Sequence, residues 1–169
     1  NVSSIKYYLC DGIVKGIYKD NNPMYAYKVY DHFKIYRPLA DKYTKWRNNL
    51  APYDIQGYEQ LPKKGDLLII TKSLKDIMVL YEMGYNAISP SSESTFIPDK
   101  ALKQLKKRFK RILICFDRDI PGVKNMRKIS LKTGLNGFLV HKKFHSKDIS
   151  DAVKNNSFDI IKNWLKEIL

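Results

Sequence analysis

The stretch "ILICFDRDIPGVKN", Ile112 to Asn125, decides the fold. It runs apolar through Phe116, sets Asp117 and Asp119 one residue apart, and then turns through Pro121-Gly122 into helix-formers. A short, continuous apolar run marks a strand buried on both faces, and a Pro-Gly ahead of helix-formers opens a helix. The two carboxylates therefore stand where a strand ends. Residues two apart on extended backbone point the same way, so both can reach one hard cation while Arg118 points away. Aspartate is also favoured just before a helix, so a plain capped turn fits the same residues. Spacing alone does not separate the two uses.

Outward from this turn, strand and helix alternate. "DLLIIT" reads as a second buried strand, and "SLKDIMVLYEMG" as a helix capped by Ser73 and stopped at Gly84. "YNAIS" reads as a strand, "PDKALKQLKKRFKR" as an amphipathic helix, "PGVKNMRKISLKTG" as a helix closed by Gly134, and "LNGFLVH" as a fourth strand. Such alternation predicts an α/β fold, a mostly parallel sheet flanked by helices. Ligands of such sheets bind beyond the carboxyl ends of the strands, where Asp117 and Asp119 lie. Upstream, "YAYKVYDHFKIYRP" predicts a hairpin turning at Asp31-His32, and "LPKKGD" a linker. The closing "SFDIIKNWLKEIL" predicts an amphipathic helix packing through Phe158, Ile161, Trp164, Leu165 and Ile168. Three regions follow: a basic strand-rich subdomain at 1–64, an α/β domain at 65–151 and a C-terminal helix at 152–169.

The chain has 169 residues, enough for one domain or one with a small appendage. No run approaches the roughly 20 apolar residues of a bilayer span, and "NVSSIKYYLC" lacks signal-peptide architecture. A start at Asn1 suggests a fragment or processed product. Cys10 and Cys115 are too far apart for a zinc motif or a disulfide framework, which favours the cytosol. With 31 Lys+Arg against 17 Asp+Glu, the formal net charge is +14. A polyanionic partner follows, nucleic acid first, with a solubilising surface as the bland alternative. Lys34, Arg37, Lys45 and Arg47 fall near Tyr36, Tyr43 and Trp46, a pattern suited to a single strand, although any one of these rings more often serves a core or hairpin pairing. The run Lys106 to Arg111 reads as a solvated helix face. No Gly-rich phosphate loop follows the first strand. His32, His141 and His145 fall in turns with no partnered nucleophile. The Asp-x-Asp of a haloacid-dehalogenase phosphatase comes early in its chain and has different neighbours.

"DLLIITKSLKD", "ISPSSES", "ICFDRDIPG" and "KDISD", in this order and spacing, resemble a Toprim domain, the catalytic fold of topoisomerases and of bacterial or phage-type primases. The resemblance covers about Gly65 to Asp151. Its most specific element is Asp117-x-Asp119-x-x-Gly122. The basic segment ahead resembles the N-terminal subdomain of primase cores, which topoisomerases and Toprim nucleases do not usually carry. The family's first motif is Glu-Gly-x-x-Asp; aligned through Asp76, this chain has Lys72 where the glutamate stands.

The resemblance implies DNA-directed primer synthesis from ribonucleoside triphosphates on single-stranded DNA, with Mg2+ or Mn2+. It implies catalytic roles for Asp117, Asp119 and Asp76, and metal binding by Asp117, Asp119, Asp148 and Asp151. Glu93 could stand in for the missing glutamate, or Lys72 could meet a nucleotide phosphate. Lys147 joins Lys34, Arg37, Lys45 and Arg47 as a nucleotide or template contact. Ser150 and Asp151 could instead simply start a helical turn. A replicative helicase would be a partner, with phage origin and a bacterial host cytoplasm as the setting. A Toprim nuclease and an inactive strand-binding module remain the rivals, the latter because fold does not fix function.

Overall fold

The structure is a computed structural model that describes residues 7–9, 25–92 and 95–169. An antiparallel sheet comes first, in the order β1 (Tyr7–Leu9), β2 (Tyr25–Val29), β3 (His32–Tyr36) and β4 (Trp46–Asn48). The second sheet begins with β5 (Ile55–Gln56) and continues through β6 (Gly65–Thr71), β7 (Asn86–Pro90), β8 (Phe109–Cys115) and β9 (Asn136–Phe138). Its spatial order is β5-β7-β6-β8-β9, with β7, β6, β8 and β9 parallel and β5 antiparallel at one edge. The helices are α1 (Leu74–Glu82), α2 (Asp99–Arg108), α3 (Ile120–Thr133), α4 (Ile149–Asn155) and α5 (Phe158–Ile168). The predicted α/β architecture with a small strand-rich subdomain is the one observed.

The apolar run in β6 follows from burial on both faces. Leu68, Ile69 and Ile70 are fully buried, and they alternate between two cores. Ile69 joins Leu74, Ile77 and Leu80 of α1, Phe144, and Trp164 and Leu165 of α5. Leu68 and Ile70 face Leu102 and Leu105 of α2, with Ile114 and Ile129. Tyr27 of the antiparallel sheet enters the first core, with Tyr36 and Trp46 packed against it.

Several expected boundaries move. The hairpin turns at Tyr30-Asp31, and His32 already belongs to β3, paired with Val29. The basic run is no single helix face: α2 ends at Arg108, and Phe109, 3% exposed, begins β8. Gly65 makes that possible, because a Cβ there would meet the Phe109 ring at 2.6 Å. Gly65, expected in the linker, is therefore strand. The expected unit at 152–169 cuts through α4, and α5 packs into the same core as α1. Ile168 is 45% exposed and contributes little to that packing.

Trp164 seals the first core, edge-on to Phe144 at 5.2 Å and to Phe138 at 6.4 Å. Trp164→Ala should cost about 3–5 kcal/mol in urea denaturation, by lost burial and the cavity left behind. Ile160→Ala, one turn away and 52% exposed, should change stability by less than about 0.5 kcal/mol.

Candidate active site: an acidic crevice at the ends of the parallel strands

Three chain segments meet where β6 and β8 end. The first is the entry to α1. Ser73 caps this helix, accepting from the Asp76 backbone N–H at 3.2 Å, while its hydroxyl donates to Asp76 Oδ2 at 2.9 Å. Thr71 donates to the same oxygen at 3.0 Å, and the Ser150 N–H donates to Asp76 Oδ1 at 2.9 Å. Asp76 is 1% exposed. Three protein donors meet its two oxygens, so this carboxylate ties the entries of α1 and α4 together and positions the site.

The second segment is the Asp117–Gly122 turn. Asp119 caps α3 by accepting from the Gly122 N–H at 2.7 Å. A Cβ at Gly122 would lie 2.2 Å from the Asp117 carbonyl oxygen. The glycine is therefore a steric requirement of the turn that presents both acids. Arg118 points away from them, as expected. Its N–H donates to the Lys147 carbonyl at 2.6 Å and its Nε to the Val140 carbonyl at 3.0 Å, a long-range fastening that no local motif signals.

That fastening brings in the third segment, Lys147 to Asp151. Asp148, and not Ser150 or Asp151, caps α4, accepting from the Asp151 N–H at 2.7 Å and the Ser150 hydroxyl at 2.9 Å. Lys147 Nζ lies 3.8 Å from Asp117 Oδ2. Lys72 Nζ stands 5.4 Å from the centroid of Phe116, the residue just before Asp117. Glu93 lies outside the described residues.

Electrostatics reflect the crowding. Burial first, then Asp148, Asp76 and Asp119, push the Asp117 carboxyl up to about 6 against the opposing pull of Lys147. Asp76 is raised by burial and by Asp148, with its three hydrogen bonds pulling the other way. Burial works to lower Lys147, but Asp117, Asp148, Asp151 and Asp119 outweigh it and raise the ammonium. Burial, with Asp76, Asp117 and Asp148 nearby, pushes the Cys115 thiol well up and leaves it inert.

Among the described residues, no three His, Cys, Asp or Glu side chains converge as a ready-made metal cage. The donor set nevertheless fits a magnesium-type ion, which takes one or two carboxylates and completes its shell with water and phosphate oxygens. Asp117 supplies a carboxylate short of countercharge. Asp119 and Asp148 each commit one oxygen, Oδ1, to a helix cap and keep the other.

The upstream cations do not form one stripe. Arg37 is 3% exposed, so it is out of reach of a strand. Lys34 donates to Gln56 at 3.2 Å and stands 5.0 Å over Trp46, which stacks on Tyr36 at 4.4 Å. These rings pack on the core instead of offering faces to bases. Lys45 is half-buried, whereas Arg47 is exposed beside Ile35 in the ladder.

Solved structures share this fold. The chain superposes on the DnaG primase catalytic domain bound to ssDNA with a TM-score of 0.66 at 15% identity, covering 85% of this chain and 51% of that one. A DNA primase domain from Pseudomonas aeruginosa gives 0.65 at 17% identity, over 94% and 56%. The primase fragment of the bacteriophage T7 primase-helicase gives 0.60 at 16%, over 89% and 64%. The chain thus spans about half to under two-thirds of these primase chains. No family model matches it, and neither does any curated protein. No helix among the described residues is long and apolar enough to cross a membrane.

The raised Asp117 carboxyl has a consequence for stability. It binds its proton more tightly in the folded chain than in the unfolded one, where the ordinary value is 3.8. The contribution of Asp117 to stability is therefore greatest below pH 4, falls as pH rises toward about 6, and stays lower beyond. Asp117→Asn should raise stability at pH 7.5 without divalent cations by on the order of 1–2 kcal/mol, allowing for solvent screening and Lys147. Near pH 4 the two melting curves should coincide, as thermal denaturation followed by circular dichroism will show.

Proposed function

We propose that the chain is the catalytic core of a primase, joining ribonucleoside triphosphates into short RNA primers on a single-stranded DNA template. The observation that carries this reading is the Asp117 carboxylate, surrounded by other acids and held to about 6 at the mouth of a parallel sheet whose fold is that of primase cores. A polymerising site needs such unneutralised charge to gather Mg2+ or Mn2+. Asp117 would hold the ion with the uncommitted oxygens of Asp119 and Asp148, with Asp151 close by on α4. The bound ion would supply charge stabilisation for the attacking and leaving oxygens.

The chain's own groups account for the rest of the site. Asp76 locks the entries of α1 and α4 so that the acids cannot drift apart. Lys147 borders the acids as a cation that can orient a triphosphate, and Lys72, on the β6–α1 connection, would join it. Arg47 and the exposed lysines draw in a template strand by charge. A replicative helicase partner and a bacterial host cytoplasm accompany this reading.

The test is synthesis of labelled RNA on single-stranded DNA with Mn2+ and all four ribonucleoside triphosphates. Short products should appear and should fall by at least about a hundredfold in Asp117→Asn/Asp119→Asn. Strand cleavage that persists without nucleoside triphosphates would replace this reading with a Toprim nuclease. Strand binding with no metal-dependent activity of either kind would reduce the chain to a binding module.

A further inference from the structure

A second cavity lies at the far edge of the sheet, with a volume of about 510 Å³. Its walls are the β2–β3 turn, the segment around Tyr53 and Asp54, and the first turns of α2, with Tyr30, His32, Tyr53, Tyr58, Lys100 and Gln104 contributing side chains. The strand β5, which starts beside it, is three strands from β8, about 14 Å at ordinary strand spacing. The cavity is therefore separate from the acidic crevice.

Three features set it apart from a packing defect. Tyr30 sits at a φ of 52°, where glycine would be the unstrained choice for the turn. A bulky residue held there by Glu59, whose Oε2 accepts from the Tyr30 N–H at 3.1 Å, costs folding energy that the hairpin does not need. Asp54 is 2% exposed, accepts from the Ala51 N–H at 2.7 Å, and stands 2.7 Å from His32 Nδ1. That approach is off the hydrogen-bonding direction, because the buried Nδ1 makes no aligned bond. The imidazole thus lines the cavity with a buried carboxylate behind it. Tyr53, by contrast, is 68% exposed at the rim, where folding asks for no aromatic ring.

We propose that this cavity takes one nucleobase, stacked on Tyr53 and read at its edge by His32 and Gln104. The size suits a base with part of its sugar. Asp31 and Asp54 disfavour a phosphate inside, so the uncharged part of a nucleotide enters, while Lys100 at the rim meets the backbone or a phosphate. Aromatic rings beside amide and imidazole groups are the means by which unpaired bases are held. The inference rests on the single-strand reading above, and it names a base-holding point at which neither the acidic turn nor the basic run plays a part.

The test uses the whole chain in EDTA, so that the acidic crevice takes no part. Binding of a DNA decamer is compared with that of an abasic decamer of the same backbone. Amide NMR spectra of Tyr53, Ala101 and Gln104 are followed with the decamer and, separately, with AMP or CMP. The base-bearing strand should bind about fivefold or more tightly than the abasic one, and Tyr53→Ala should abolish that preference. Tyr53 is exposed, so the variant should melt like the parent. Shifts at the three amides with mononucleotides as well would assign the base to free nucleotide; shifts with the decamer alone would assign it to the strand. An unchanged base preference in Tyr53→Ala, or amides silent to both probes, would overturn the inference. Neither arm requires primer synthesis, so a chain that makes no primers can still pass, and one that makes them can still fail.

Discussion

One buried carboxylate governs the geometry of the whole site. Asp76 cannot stay buried unless its lone pairs are met, because an unpaired carboxylate in the interior costs far more than it returns. Its donors come from three places: Thr71 at the end of β6, Ser73 at the cap of α1, and Ser150, 74 residues away in α4. Satisfying one side chain therefore pins the C-terminal segment against the first strand–helix connection. Arg118 adds a second fastening through the Lys147 and Val140 carbonyls. Together they fix Lys147 and Asp148 beside Asp117, and the crevice has no other reason to exist.

How much of this was legible in the sequence depends on the range of the contact involved. The unbroken Leu68-Ile69-Ile70 run announced a strand buried on both faces, and it is one. The turn from Asp117 to Gly122 was legible because its logic is local: a cap three residues ahead of its donor, and a glycine where a Cβ would strike the preceding carbonyl. Asp76 was singled out by motif, but its burial depends on a donor far along the chain. Arg37 read as a surface cation because it follows an alternating strand, yet the fold closes over it. His32 read as a turn residue because the hairpin's register was set one residue late, which hid its approach to Asp54. Phe109 looked helical until Gly65, on a different strand, made room for its ring. Apart from the one-residue register of the hairpin, each miss is a long-range contact that outweighed a sound local preference.

The charge distribution resolves the contrast between a chain of +14 and a carboxylate-lined crevice. The net charge attracts a polyanion from any direction, screened beyond about 10 Å at ordinary salt. At the crevice the local sign is reversed, because Asp148, Asp76 and Asp119 act on Asp117 and a phosphate arriving there would meet like charge. Attraction brings the ligand near, and repulsion bars it from the one place where strand-end carboxylates could act on it. Under the primase reading proposed above, a divalent cation set between them would reconcile the two. Lys147, 3.8 Å from Asp117, is an internal and partial form of that cation. A lysine supplies one charge and three directed donors. A divalent ion supplies two charges and an open coordination shell that both carboxylate and phosphate oxygens can enter. With Lys147 in place, burial and the neighbouring acids still hold the Asp117 carboxyl above its ordinary range, a setting that such an ion would relieve.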